Sequence, residues 1–211
     1  MEPESAEDFY ARVQAATGPD GRLAVAVEEM PGWDIFPFEL DTLRIKPLQP
    51  LAEADPPRGG EDPSQCWCAG PPDPDLAERL VWSNERWHLH LDPSLKLPIG
   101  LTLGPQEHCD LPTVPEHLSA EMGRLIVAVS AAVESLPSVG RVQLAKYGDG
   151  GAHLHLFVFG RPARMLQLRG SPLLDWEENL PPVPLEVHRA NAEHVADRLL
   201  ASVGGTGPGW L

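Results

Sequence analysis

Apolar residues recur at two spacings along this chain, and each change of spacing marks a change of element. In "RLAVAVEEM" (22–30) and "DTLRIKPL" (41–48) they alternate, which predicts strands. Ahead of these, "SAEDFYARVQAATG" offers Ser5 as a cap and puts Phe9, Val13 and Ala16 on one helical face, with a stop at Gly18. "ERLVWSN" and "RWHLHLD" alternate again and predict a hairpin turning near Asn84–Glu85, and "IGLTLGPQEH" predicts a third strand. The spacing then becomes helical: Leu118, Met122, Leu125, Ile126, Val129 and Val133 line up within "EHLSAEMGRLIVAVSAAVESL". "GRVQLAKYG" and "GAHLHLFVFG" predict two further strands joined by a glycine-rich turn. A closing helix, "NAEHVADRLLASV", takes Asn191 as its cap and ends at Gly204–Gly205. Strand-strand-strand-helix-strand-strand, then an irregular segment and a helix, is an α+β order, with an antiparallel sheet and a helix packed on one face.

Residues 49–75 break this regularity. "QPLAEADPPRGGEDPSQCWCAGPPDPD" is polar and proline-rich and reads as a linker. The chain therefore divides into an N-terminal helix/strand extension with its linker (1–63), a main domain (64–203) and a short flexible tail (204–211). The formal charge of −15 argues against general nucleic-acid or anionic-membrane binding, both of which need a basic footprint, but not against a small anion in a locally basic pocket. The acidic start "MEPESAEDFY" lacks the basic and apolar regions of a secretion signal, and no run of apolar residues is long enough to span a membrane. Three cysteines, two of them nearly adjacent, do not make a disulfide framework, so a reduced, cytoplasmic protein is expected.

The candidate chemistry begins with "GDGGAHLHLFVFGRP" (148–162), where His153 and His155 are two apart in a predicted strand and so share a face. A second such pair, His88 and His90, reads as structural, as do Trp82 and Trp87. His188 and His194 read as solvent-exposed, and "DWEENLPPVP" as an irregular surface segment whose Trp176 borders the site. Zinc takes four thiolate or imidazole ligands. Cys66 and Cys68, His108 some way along, and His153 further on supply such a set, with Cys109 a rival ligand beside His108. The other reading of the cysteines is a half-buried pair flanking a core tryptophan, Trp67.

His153-Leu154-His155-Leu156-Phe157-Val158-Phe159, entered from a glycine-rich loop, resembles the signature of the histidine triad (HIT) superfamily. The likeness covers roughly residues 64–162. The cysteine pair, the histidine of Pro105-Gln106-Glu107-His108 and the first motif histidine follow the family's metal-ligand order, so the resemblance implies a structural Zn2+ on Cys66, Cys68, His108 and His153. It also implies that His155 is the nucleophile toward the α-phosphorus of a nucleotide, giving a covalent nucleotidyl-histidine that passes to water or an acceptor. Asp92 inherits a ribose contact. Backbone N–H groups at Gly148, Gly150 and Gly151 would cradle phosphate, and Arg161, Arg164 and Arg169 form a basic cluster suited to it. A nucleotide or other phosphorylated small molecule is the partner, and a homodimer the assembly the family suggests. The chain departs from the pattern at Phe157, which replaces the third polar motif residue, and at Gly150–Gly151, where a hydroxyl side chain is usual. A phenyl ring donates nothing to a phosphoryl oxygen, so a ligand-binding protein that has lost turnover, and an enzyme of another reaction class, stand as rivals to a nucleotide hydrolase or transferase.

Overall fold

The structure, a computed structural model, describes residues 11, 14–22, 47, 49–71 and 73–210. The chain forms two compact units, Met1–Pro56 and Pro57–Leu211. In the first, a helical turn closes with the Thr17 N–H donated to the Gln14 carbonyl at 3.1 Å. The rest of the helix expected from Ser5, and the strands expected at 22–30 and 41–48, fall almost wholly outside the described residues. The boundary lies before Arg58 rather than after residue 63, for a reason seen in the site below.

The second unit is built on five strands: β1 (Leu80–Ser83), β2 (Trp87–Leu91), β3 (Ile99–Pro105), β4 (Val139–Ala145) and β5 (Leu156–Pro162). All pair antiparallel, in the order β1-β2-β3-β5-β4. The β1–β2 hairpin turns where expected, because the Asn84 side-chain oxygen accepts the N–H groups of Arg86 and Trp87 at 2.9 and 2.8 Å. Alternation then sorts the side chains. Trp87, Leu89 and Leu91 go inward with Leu101, Leu103 and Val158, while His88, His90, Thr102 and Phe157 take the opposite face.

Four helices accompany the sheet: α1 (Pro74–Ala77), α2 (Glu116–Glu134), α3 (Leu173–Glu177) and α4 (Leu185–Val203). Leu118, Leu125, Val129 and Val133 of α2 and Val195, Ala196 and Leu199 of α4 close the main core against the inward sheet face. Each large apolar side chain fully buried there contributes roughly 1.5–3 kcal/mol. The expected α+β class with an antiparallel sheet is what the molecule has.

Three elements differ from expectation. Helix α4 starts at Leu185 behind Pro184, not at Asn191; Asn191 is interior and donates its amide to the Pro98 carbonyl at 2.8 Å. His188 is consequently fully buried, with Nε2–H on the Leu97 carbonyl at 3.0 Å, and is not the solvent-exposed residue expected. The irregular segment after β5 covers the second sheet face: Leu168 and Leu173 pack with Leu97 and Phe159, and Trp176 joins them there. Finally, residues 204–210 are no free tail. Thr206 and Ser83 exchange backbone hydrogen bonds at 2.8 and 3.0 Å, and the Trp82 indole donates to the Gly204 carbonyl at 2.6 Å, so the segment runs along the outer edge of β1. Among the described residues no helix is long and apolar enough to cross a membrane.

Candidate metal centre and active-site cavity

Cys66 sits at the join of two short 3-10 turns, Pro63–Gln65 and Trp67–Ala69, the first capped by the Asp62 carboxylate, and Cys68 lies within the second. His108 lies three residues beyond β3, and His153 three residues before β5. One donor atom from each of Cys66, Cys68, His108 and His153 falls within 4.8 Å of the other three, a set that can hold a metal ion. The Cys66 Sγ–His153 Nδ1 separation is 3.4 Å and the Cys68 Sγ–His108 Nδ1 separation 3.7 Å. Tetrahedral zinc, with bonds of about 2.0–2.3 Å, spaces its ligands at roughly such distances. The His153 tautomer also suits a ligand: Nε2–H is donated to the Pro105 carbonyl at 2.8 Å, so Nδ1 turns a lone pair to Cys66. Burial, then the neighbouring Cys66 sulfur, push the Cys68 thiol up to about 11, and a bound cation would draw it to the thiolate. Cys109, the rival ligand, lies buried in the main core instead. Trp67, between the two cysteines, is about half exposed and sets its ring 4.8 Å from that of His153, so the cysteines do not flank a core tryptophan.

The sequence puts His153 and His155 on one strand face, but β5 begins only at Leu156. The preceding residues are drawn off the sheet by a parallel bridge to Gly59: the Gly59 N–H meets the Gly150 carbonyl at 3.0 Å, and the Ala152 N–H meets the Gly59 carbonyl at 2.9 Å. That bridge is why Arg58–Gly60 belong to this unit and not to a linker. His153 turns into the metal cluster and is buried, while the half-buried His155 opens onto a cavity. His155 Nδ1–H is donated to the His153 carbonyl at 2.7 Å, which leaves Nε2 as its lone-pair nitrogen.

This cavity, about 510 Å³, is also lined by Gly150, Gly151, Asp92, Arg79, Thr102, His88 and His90. One Asp92 oxygen accepts the Ser94 N–H and O–H at 3.0 and 2.6 Å. Gly148 stands outside the wall at φ +82°, where the Lys146 ammonium fills the space a Cβ would need; its carbonyl accepts from Arg58 at 3.3 Å. Phe157 does not line the cavity either. Its ring meets that of His155 edge-on at 5.2 Å and stacks on Phe159 at 5.9 Å. Arg161 lies at the far end of β5, over Gly140, with its guanidinium on the Pro162 carbonyl; Arg164 occupies a left-handed turn; Arg169 donates to the Leu166 carbonyl. None of the three reaches the cavity.

Sequence reasoning missed Arg79 and Asp110, and read as structural the His88–His90 pair that lines the cavity. Arg79 brings a guanidinium to the cavity wall from just before β1. His88 and His90 are wall residues, stacked at 4.5 Å, with both His88 nitrogens buried and without a hydrogen bond. Burial first, then mutual proximity of charge, hold His88 at about 3, and burial and Arg79 hold His90 at about 4, so both rings are neutral at pH 7. The H-x-H repeat was the available signal. Asp110 takes Arg58 at 2.6 Å and Lys146 at 3.0 Å. Burial alone would raise its carboxyl, and these bonds instead bring it down to about 2.

No protein-family model matches the chain, and no curated protein matches it. Solved structures do. The chain is similar to a histidine triad (HIT) protein from Sinorhizobium meliloti at 18% identity, covering 61% of this chain and 96% of that one, TM-score 0.48. It is similar to a Zn-bound histidine triad family protein from Mycobacterium smegmatis at 19% identity, covering 64% and 96%, TM-score 0.44. A histidine triad protein from Bradyrhizobium japonicum stands at 17% identity, covering 61% and 96%, TM-score 0.46.

Proposed function

We propose that this chain is a nucleotide hydrolase or nucleotidyl transferase working through His155. The observation that carries the reading is the 2.7 Å bond from His155 Nδ1–H to the His153 carbonyl, on a histidine at the wall of a roughly nucleotide-sized cavity. It fixes the neutral tautomer in which Nε2 is nucleophilic. Nε2 attacks the α-phosphorus; a P–N bond forms and the bond to the leaving group breaks, its electron pair departing with that group. Water or an acceptor hydroxyl then attacks the same phosphorus. The P–N bond breaks with its electron pair returning to Nε2, the attacking oxygen loses its proton to solvent, and neutral His155 returns. Asp92 contacts the sugar, the Gly150–Gly151 backbone and Arg79 meet the phosphate, and Arg161 and Arg169 take no part. Cys66, Cys68, His108 and His153 hold a zinc ion, which when bound supplies a structural cross-link between the loops around His155. A homodimer and a cytoplasmic location complete the reading.

The test is turnover of nucleoside phosphoramidates, dinucleoside polyphosphates and a nucleoside-diphosphate sugar by the wild type and by His155→Ala. The expected result is turnover of at least one, reduced ~10³-fold or more in the variant. No turnover by folded, zinc-replete protein overturns it. A nucleotide-induced rise in melting temperature without turnover would favour a binding protein, for which the edge-on Phe157 ring beside His155, with no donor to offer a leaving group, is the supporting observation.

A further inference from the structure

No member of the donor set sits within a strand, and neither does His155. The site is an assembly of three loops: 58–68 with the cysteines, 106–113 with His108, and 146–155 with His153 and His155. Backbone contacts join them in pairs. Gly59 bridges Gly151, and the Leu154 N–H is donated to the Cys109 carbonyl at 2.7 Å.

One side chain engages all three loops. Asp110, two residues after His108, has a side chain only 16% exposed. Its Oδ2 accepts from Arg58 at 2.6 Å, its Oδ1 pairs with Lys146 at 3.0 Å, and Oδ1 also accepts the Leu111 N–H at 2.7 Å. Arg58 lies directly before the Gly59 bridge and donates as well to the Gly148 carbonyl at 3.3 Å; Lys146 packs against Gly148. Lys146 is as enclosed as Asp110, at 16% exposed, so the pair is not the solvated kind that contributes little. By contrast the neighbouring Glu107–His117 pair, at 54% and 53% exposed, is of that kind.

We propose that Asp110 is the positioning residue of this site: its carboxylate binds the cysteine loop, the His108 loop and the His155 loop together and so sets both the donor set and the nucleophile. For catalysis the proposal rests on the reading of His155; for the metal donor set and the loops it stands alone. Asp110 neither lines the cavity nor belongs to the donor set, and acts through Arg58 and Lys146.

Asp110→Asn keeps the shape and an acceptor for Leu111 but removes the charge that holds the two cations. Three readouts on the full chain test it. Hydrogen exchange of backbone amides should rise in all three loops, 58–68, 106–113 and 146–155, and stay unchanged in β3 and β5. Zinc affinity, by competition with a chromogenic chelator, should fall about 10- to 100-fold, the usual effect of losing a group that orients metal ligands. On a substrate turned over by the wild type, kcat should fall with KM little changed. Asp110→Glu should restore part of each, and Glu107→Gln, on the same loop, should alter none. If Asp110→Asn does not fold, Lys146→Met should raise exchange in 106–113 and 146–155 while leaving 58–68 nearer the wild type. Exchange confined to 106–113, or unchanged zinc affinity with only a lower melting temperature, overturns the proposal. Absence of turnover in the wild type overturns the reading of His155 and leaves the exchange and zinc arms intact.

Discussion

His88 and His90 are a clear case of what a side chain's surroundings do to its chemistry. The sequence offers two H-x-H pairs, and nothing in their letters separates them. In the fold, His153 finds a carbonyl acceptor and two sulfur neighbours, whereas His88 lies across from Gly104, where a Cβ would come within 3.0 Å of its ring, and finds no partner. This has a consequence for stability. Both wall rings titrate lower folded, at about 3 and about 4, than unfolded, near 6.5. Between those values the unfolded chain binds more protons, so stability is full above about 6.5 and is lost as pH falls toward about 4 and then about 3. His88→Phe should flatten the fall in melting temperature between pH 6.5 and 4.5 relative to wild type; an equally steep fall in the variant would show that other groups cause it. The Cys68 thiol carries a second prediction. Protein purified without chelator should hold about one zinc per chain, and Cys68→Ser much less; wild type with intact thiols and no zinc would remove the metal centre from the account.

Elements were legible where periodicity alone decides them. The β1–β2 hairpin, β3 and α2 fall where their spacing puts them, because each packs one face on the core and the pattern is that face. Where a distant partner decides, the pattern misleads. "GAHLHLFVFG" alternates from its first residue, but Gly59, more than 90 positions earlier, draws residues 150–152 off the sheet and delays β5 to Leu156. Helix α4 begins early because Pro184 supplies its first turn and the buried His188 contributes to the packing that a polar letter does not announce. The tail is legible only once β1 is known to be an edge. Truncation before Gly204 would strip the Trp82 indole of its acceptor and Ser83 of its two backbone bonds to Thr206. It should lower urea-unfolding stability by roughly 1–3 kcal/mol, about what that many hydrogen bonds contribute. A truncated chain as stable as the full one would show the tail to be dispensable.

The molecule as a whole divides its labour between the sheet faces. Helices α2 and α4 close one face into the main core, and the other face carries His88, His90 and Thr102 toward the cavity, with the aromatic row from Phe157 to Phe159 beside it. The four donor residues were readable in the sequence as a set because a close cysteine pair is followed by two histidines at ligand-like intervals, in the order the resemblance implies, and the structure brings their donor atoms within 4.8 Å. The phosphate-side cations were not. Arg161 and Arg169 are near His155 in sequence but are not among the residues that line the cavity, while Arg79 is distant in sequence and lines it. The chemistry proposed for this site leaves a specific trace: a nucleotidyl group attached through nitrogen to one histidine. Wild-type protein mixed with a turned-over nucleotide conjugate, quenched in base and digested, should yield the peptide containing His155 with the nucleotidyl mass added, and His155→Ala should yield none. Steady turnover with no adduct on any histidine, or an adduct on a different histidine, would contradict nucleophilic catalysis by His155.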